Sequence, residues 1–136
     1  MDFKTIQVQL QADLEISSDN IQNKSMELSK IYQKYLDLYF SEIKTLQEFQ
    51  ESRNKKFAEI FHKIRTEGYQ GYDVGKTKNE TEIYINLDPD YQKINKQFLD
   101  QELIVKYLEK SLENINKAGF SIKNYVDLQK LKQGIM

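Results

Sequence analysis

The chain has 136 residues, 39% hydrophobic and 30% charged, with a formal net charge of -1, which suits one domain of long, partly solvated helices rather than a thick core. Having no cysteine, it can build neither a disulfide framework nor a thiolate zinc site; the absence of any run of about 18 apolar residues argues against a membrane span. The near-neutral charge removes any global attraction to a polyanion, so binding to one has to come from a local patch.

Met1-Asp2-Phe3-Lys4 lacks a basic stretch followed by an apolar core, so no signal peptide is expected. A first helix is predicted over Phe3–Leu14, with Phe3, Ile6, Leu10 and Leu14 on one face. Ser18 or Asp19 is placed to cap the next helix. That helix runs without Gly or Pro to Glu67, about 48 residues and roughly 70 Å if unbroken. Its stripe holds Leu28, Tyr32, Tyr35, Tyr39, Ile43, Leu46, Phe57, Ile60 and Ile64. Arg53 falls on the stripe, so a kink or an exposed seam is expected there.

Gly68, Gly71 and Gly75 end the helix, with Tyr69 and Tyr72 between them. Thr81–Leu87 alternates, with Ile83, Ile85 and Leu87 on one side, which reads as a short strand without a clear partner. Asp88-Pro89 is a strong helix start, cap followed by first-turn proline. The helix it opens carries Tyr91, Ile94, Phe98, Val105, Leu108, Leu112 and Ile115, and is expected to stop at Gly119. Ser121 would then cap a last helix with Ile122, Tyr125, Leu128 and Leu131, with Phe120 and Tyr125 as a hydrophobic staple. A third helix of roughly 45 Å cannot cover a stripe of roughly 70 Å, so self-association is the simplest fate for the remaining apolar face. The expected fold class is all-α, a hairpin of two long helices with short flanking helices and at most one short β segment.

Gly71-Tyr72-Asp73-Val74-Gly75-Lys76-Thr77 ends like a phosphate-binding loop. It is one residue short between its glycines, follows a helix instead of a strand, and is not expected to open an apolar helix, so a nucleotide site is disfavoured. Asn79-Glu80-Thr81 matches a glycosylation sequon, which means little without a signal peptide. His62 is the only histidine and has no second ligand at i+4, so no metal site and no catalytic residue is expected. The informative stretch is Arg53 to Tyr72. Arg53, Lys55, Lys56, Lys63 and Arg65 outnumber Glu59 and Glu67 there, and Phe57, Phe61, Tyr69 and Tyr72 interleave with them. Cations beside aromatic rings suit a single strand, whose phosphates need charge and whose unpaired bases stack. A solvated helix face with Phe57 and Phe61 in the core explains the same pattern equally well.

The ordered series Ile16-Ser17-Ser18, Ile31-Tyr32-Gln33-Lys34-Tyr35-Leu36, Thr81-Glu82-Ile83 and Leu112 through Lys123 resembles UvsY, the recombination mediator protein family of T-even-type bacteriophages, over nearly the whole length. That family's DNA-binding element is a Lys-x-Arg pair followed by an acid, a tyrosine and a glycine. Lys63-Ile64-Arg65-Thr66-Glu67-Gly68-Tyr69-Gln70-Gly71 is similar to it, with Gly68 in place of one of two adjacent tyrosines. An ungapped reading from Lys55-Lys56 would instead put Ile60 and His62 at the basic positions.

The resemblance implies a single recombination-mediator domain over 1–136, with residues 1–80 as the DNA-binding part and 81–136 as the oligomerisation part. It implies a ring-like homo-oligomer, six or seven subunits (a heptamer in the larger case), held largely through Phe120, Ile122, Tyr125, Leu128 and Leu131. The implied DNA contacts are Lys63, Arg65 and Tyr69, with Arg53, Lys55, Lys56, His62 and Tyr72 around them. The implied partners are single-stranded DNA, the phage single-strand-binding protein and a UvsX-type, RecA-like recombinase; no membrane, cofactor or enzymatic activity is implied, and the setting is the cytoplasm of the infected bacterium. The competing reading is a self-associating helical scaffold that does not bind DNA.

Overall fold

A computed structural model of the chain describes residues 2–15, 21–67 and 77–134, the side chains of residues 21–26 aside. Four helices make up the described residues: α1 (Phe3–Asp13), α2 (Ile21–Glu67), α3 (Lys78–Leu87) and α4 (Pro89–Lys132). They form two compact units, one from residues 1–41 and 104–136, the other from residues 42–103.

In the first unit α1 lies against α2 and α4. The Asp2 carboxylate caps α1 by accepting from the Thr5 N–H at 2.7 Å. The expected α1 stripe is confirmed at Ile6 and Leu10, both buried with Leu28, Ile31 and Tyr35 of α2 and Leu108, Leu112, Ile115 and Ile122 of α4. Phe3 is 37% exposed and makes an edge contact to Tyr107 at 4.9 Å. The far end of α1 is tied down by Asp13, whose carboxylate accepts from the Tyr35 hydroxyl at 2.7 Å and the Lys34 ammonium at 2.8 Å. Burial, then the Asp13 carboxylate, push the Tyr35 hydroxyl well above the ordinary phenol range. Tyr35 is therefore a core residue, as its helical spacing suggests. The Ser18 or Asp19 cap lies outside the described residues.

α4 corrects the expected stop at Gly119. It continues as one helix to Lys132, so there is no separate last helix capped by Ser121. A glycine inside a helix costs only about 1 kcal/mol, and Ile115 and Ile122, two turns apart, keep one buried stripe running through it. A Cβ at Gly119 would meet Leu28 Cδ1 at 3.8 Å, an ordinary contact. Gly119→Ala should therefore raise stability by about 0.5–1 kcal/mol, read as a higher midpoint in urea; a lower midpoint would mean that α4 needs glycine there.

In the second unit α2 and α4 pair antiparallel: residue 42 meets 101, residue 53 meets 95 and 98, and residue 57 meets 91. Ile60 and Ile64 of α2, Ile85 of α3 and Tyr91 of α4 form its core. Gln101 is buried and donates to both the Glu42 carboxylate (2.6 Å) and the Glu42 carbonyl (2.9 Å). A buried, hydrogen-bonded polar pair of this kind favours the register that joins residue 42 to residue 101. Gln101→Leu should lower stability by about 1–3 kcal/mol, because the Glu42 groups lose a buried donor. An unchanged thermal midpoint would show that the pair contributes nothing.

The strand expected over Thr81–Leu87 is α3. Its buried residues, Thr81 and Ile85, lie four apart, while Ile83 and Leu87 face outward. Thr77 caps it, accepting from the Glu80 N–H at 3.2 Å. A lone strand would leave its backbone groups unpaired, whereas a helix satisfies them internally; that requirement overrides the two-residue alternation. A helix, α3, opens directly after Thr77, although α2, not a strand, is the element before it. The Asp88-Pro89 start holds: the Asp88 carboxylate accepts from the Tyr91 N–H at 2.9 Å.

Candidate nucleic-acid interface

All the described cations of the candidate patch sit on the last turns of α2, within the second unit. The helix advances about 100° per residue, so position fixes which way each points. Ile60 and Ile64 define the inward side. Arg53 shares that side, and no break interrupts α2 there. Its guanidinium carbon lies 3.8 Å from the Phe98 ring centroid, and Nη1 donates to Asn95 Oδ1 at 3.3 Å. Stacking and a hydrogen bond thus let a cation occupy an apolar stripe without a kink. This engages Arg53 within the fold, on the opposite side of the helix from Lys55.

Lys55, His62, Lys63 and Arg65 are exposed. Lys55 and His62, seven residues apart, share the outward crest with Ala58 between them. Lys63 and Arg65, two apart, diverge by about 200° and so flank that crest on opposite shoulders. Lys56 lies on the Lys63 shoulder, partly covered and 3.5 Å from Glu59; an exposed i,i+3 pair of this kind holds a charge only weakly. The His62 carbonyl accepts from the Thr66 hydroxyl at 2.9 Å, leaving the imidazole outside that bond. Tyr69 and Tyr72 lie outside the described residues.

The aromatic residues divide as well. Phe57 and Phe61 are both half-buried against the core, their rings nearly parallel (19°) with centroids 6.2 Å apart. Phe57 also meets Tyr91 edge-on at 6.1 Å. Arg65 continues the row, its guanidinium carbon 5.7 Å from the Phe61 centroid. Sequence spacing could have shown that row, since residues 57, 61 and 65 repeat every four; the engagement of Arg53 by Asn95 and Phe98 could not be read from spacing.

Of the five residues expected at the self-association surface, Ile122 is 3% exposed inside the first unit's core. Phe120 (67%) and Leu131 (63%) are exposed on the side of α4 away from Ile122, and Leu128 and Tyr125 are exposed toward one flank. Among the described residues no cluster of His, Cys, Asp and Glu could hold a metal ion, and no helix is long and apolar enough to cross a membrane.

The helical arrangement is shared with crystal structures of the bacteriophage T4 recombination mediator protein UvsY. One matches with a TM-score of 0.85 at 18% identity, covering 97% of this chain and 99% of that one. A second matches with 0.82 at 19% identity, covering 98% of each. The fold is thus the all-helical one of those structures. No curated protein sequence matches significantly. A sequence profile described as "Recombination, repair and ssDNA binding protein UvsY" matches residues 9–135, and the chain belongs to that family.

Proposed function

We propose that this protein is a recombination mediator that binds single-stranded DNA through the end of α2 and helps a RecA-like recombinase of the UvsX type displace the phage single-strand-binding protein. The observation that carries the reading is the fan of exposed cations, with Lys55 and His62 on the crest and Lys63 and Arg65 on its shoulders. Such a fan offers charge to a flexible backbone from several directions and has no fixed hydrogen-bond pattern for reading base edges. Family membership supports the same reading. Tyr69 and Tyr72, outside the described residues, are taken as further contacts with the strand, and Lys56 would add charge at the edge of the patch. Arg53, held by Phe98 and Asn95, serves the patch by keeping α2 seated rather than by touching the strand.

One patch neutralising about three phosphates binds weakly, with a salt slope near -2 at about 0.7 per contact. Copies joined through Phe120, Tyr125, Leu128 and Leu131 into a ring of six or seven would act together through effective concentration. Such a ring could hold a strand against the single-strand-binding protein and present it to the recombinase. It would act in the cytoplasm of the infected bacterium and needs no cofactor or catalytic group.

Filter binding of labelled single-stranded and duplex DNA at low and moderate salt tests the reading. Preferential, salt-sensitive retention of the single strand is expected. No retention at low salt would favour the self-associating scaffold instead.

A further inference from the structure

The two arginines of α2 sit against phenylalanine rings in different ways. Arg53 is closed onto Phe98 at 3.8 Å and fixed there by Asn95. Arg65 stands 5.7 Å from the centre of Phe61, at the outer end of the row that climbs from Tyr91 through Phe57. Phe61 is anchored from below by Phe57 and the Ile60–Ile64 core, yet stays half-buried. A ring held rigidly by its neighbours and open at one side loses little freedom when something packs on it. A guanidinium beside that ring can cover the far face of a planar group or neutralise the phosphate next to it.

We infer that Phe61 is a base-stacking residue: an unpaired base packs on its exposed side under Arg65, while Lys63 on the opposite shoulder takes the backbone. The inference rests on the strand-binding reading above and adds to it a specific contact with the base. It gives the two shoulders of α2 different chemistry, aromatic with arginine on one side and lysine with Glu59 on the other. Because every base has a π-face, stacking of this kind is tolerant of sequence but demands that a base be present and unpaired. The preference for single strands over duplex would then come from Phe61, and the salt dependence from Lys63, Arg65 and Lys55.

The test compares two strands of equal length and charge, an oligothymidylate and one carrying abasic sites, on the full-length wild type and on Phe61→Leu, which keeps an apolar side chain against the core. Wild type should bind the base-bearing strand about five-fold or more tightly than the abasic one, the low end for stacking on an aromatic ring. Phe61→Leu should bind the abasic strand as wild type does and lose the preference for bases. A loss of affinity for both strands alike would mark Phe61 as merely structural and overturn the inference, as would a preference that survives the substitution. F61W gives a second readout: the chain has no tryptophan, so its emission should be quenched by the base-bearing strand and not by the abasic one. Quenching equal for both strands would contradict stacking. A wild type that binds both strands equally overturns this inference alone; a wild type that binds neither overturns the strand-binding reading and takes the inference with it.

Discussion

Lys63→Ala combined with Arg65→Ala should lower affinity for single-stranded DNA about ten-fold or more at low salt and flatten its salt dependence. Each side chain lies on its own shoulder of α2, so in the proposed complex the pair would serve two separate phosphates rather than one. Removing two contacts should reduce the magnitude of the salt slope by about 1.4 per engaged copy. Both residues are exposed, and substitutions at such positions usually change stability by no more than about 0.5 kcal/mol. Arg65 also contacts Phe61, so the Lys63→Ala single variant separates lost charge from lost ring cover; it should account for about half of the change in slope. Equal affinity and slope in the double variant would place the strand elsewhere. In a ring the deficit repeats at every copy, so the loss measured with a long oligonucleotide should exceed that with one spanning a single patch.

Phe120→Glu with Leu131→Glu should dissociate the proposed assembly while leaving each subunit folded. The two side chains are 67% and 63% exposed and lie on the face of α4 away from the buried Ile122. Burying one large apolar side chain at an interface contributes about 1.5–3 kcal/mol, and a carboxylate there adds a desolvation cost. Dissociation constants should therefore rise at least a hundred-fold, and DNA affinity should fall with the loss of multivalency. Truncation before Ser121 would be a poorer probe: it removes Ile122, 3% exposed in the core that also buries Ile6 and Leu10, and so would damage the fold together with any interface. Double-variant subunits that sediment as the wild-type assembly would show that this face is not the contact.

Much of the fold was legible because local rules and packing agree there. Ile6 and Leu10 share one face of α1 and are buried by it, α2 runs on to Glu67 where the glycines begin, and Asp88-Pro89 starts α4. The failures have one cause: a local signal outweighed by a tertiary requirement. Ile83, Ile85 and Leu87 alternate like a strand, but a strand with no neighbour cannot satisfy its backbone, and the Thr77 cap with Thr81 and Ile85 on one face gives a helix instead. Gly119 looks like a helix end, but Ile115 and Ile122 belong to one continuous buried stripe, and that packing outweighs the glycine. At Lys76-Thr77 a helix does follow, capped by Thr77, while α2 rather than a strand comes before, as expected.

For the candidate site, composition singled out a stretch of chain but not how each residue in it is held. Helical geometry separates Lys63 from Arg65 and sets Lys55 with His62 on the crest. The cation that looked out of place, Arg53, is held by Phe98 and Asn95, from a part of the sequence more than forty residues away. Contacts at that separation leave no periodic trace. The same holds for Phe61, which packs against a core cluster that includes Ile85 and Tyr91 from two other helices.

Sedimentation velocity at micromolar concentration, with and without a fluorescent single-stranded oligonucleotide, tests the central claim most directly. A multimer whose boundary carries the label at low salt and releases it as salt rises is the expected result. A monomer that leaves the oligonucleotide sedimenting alone would contradict it.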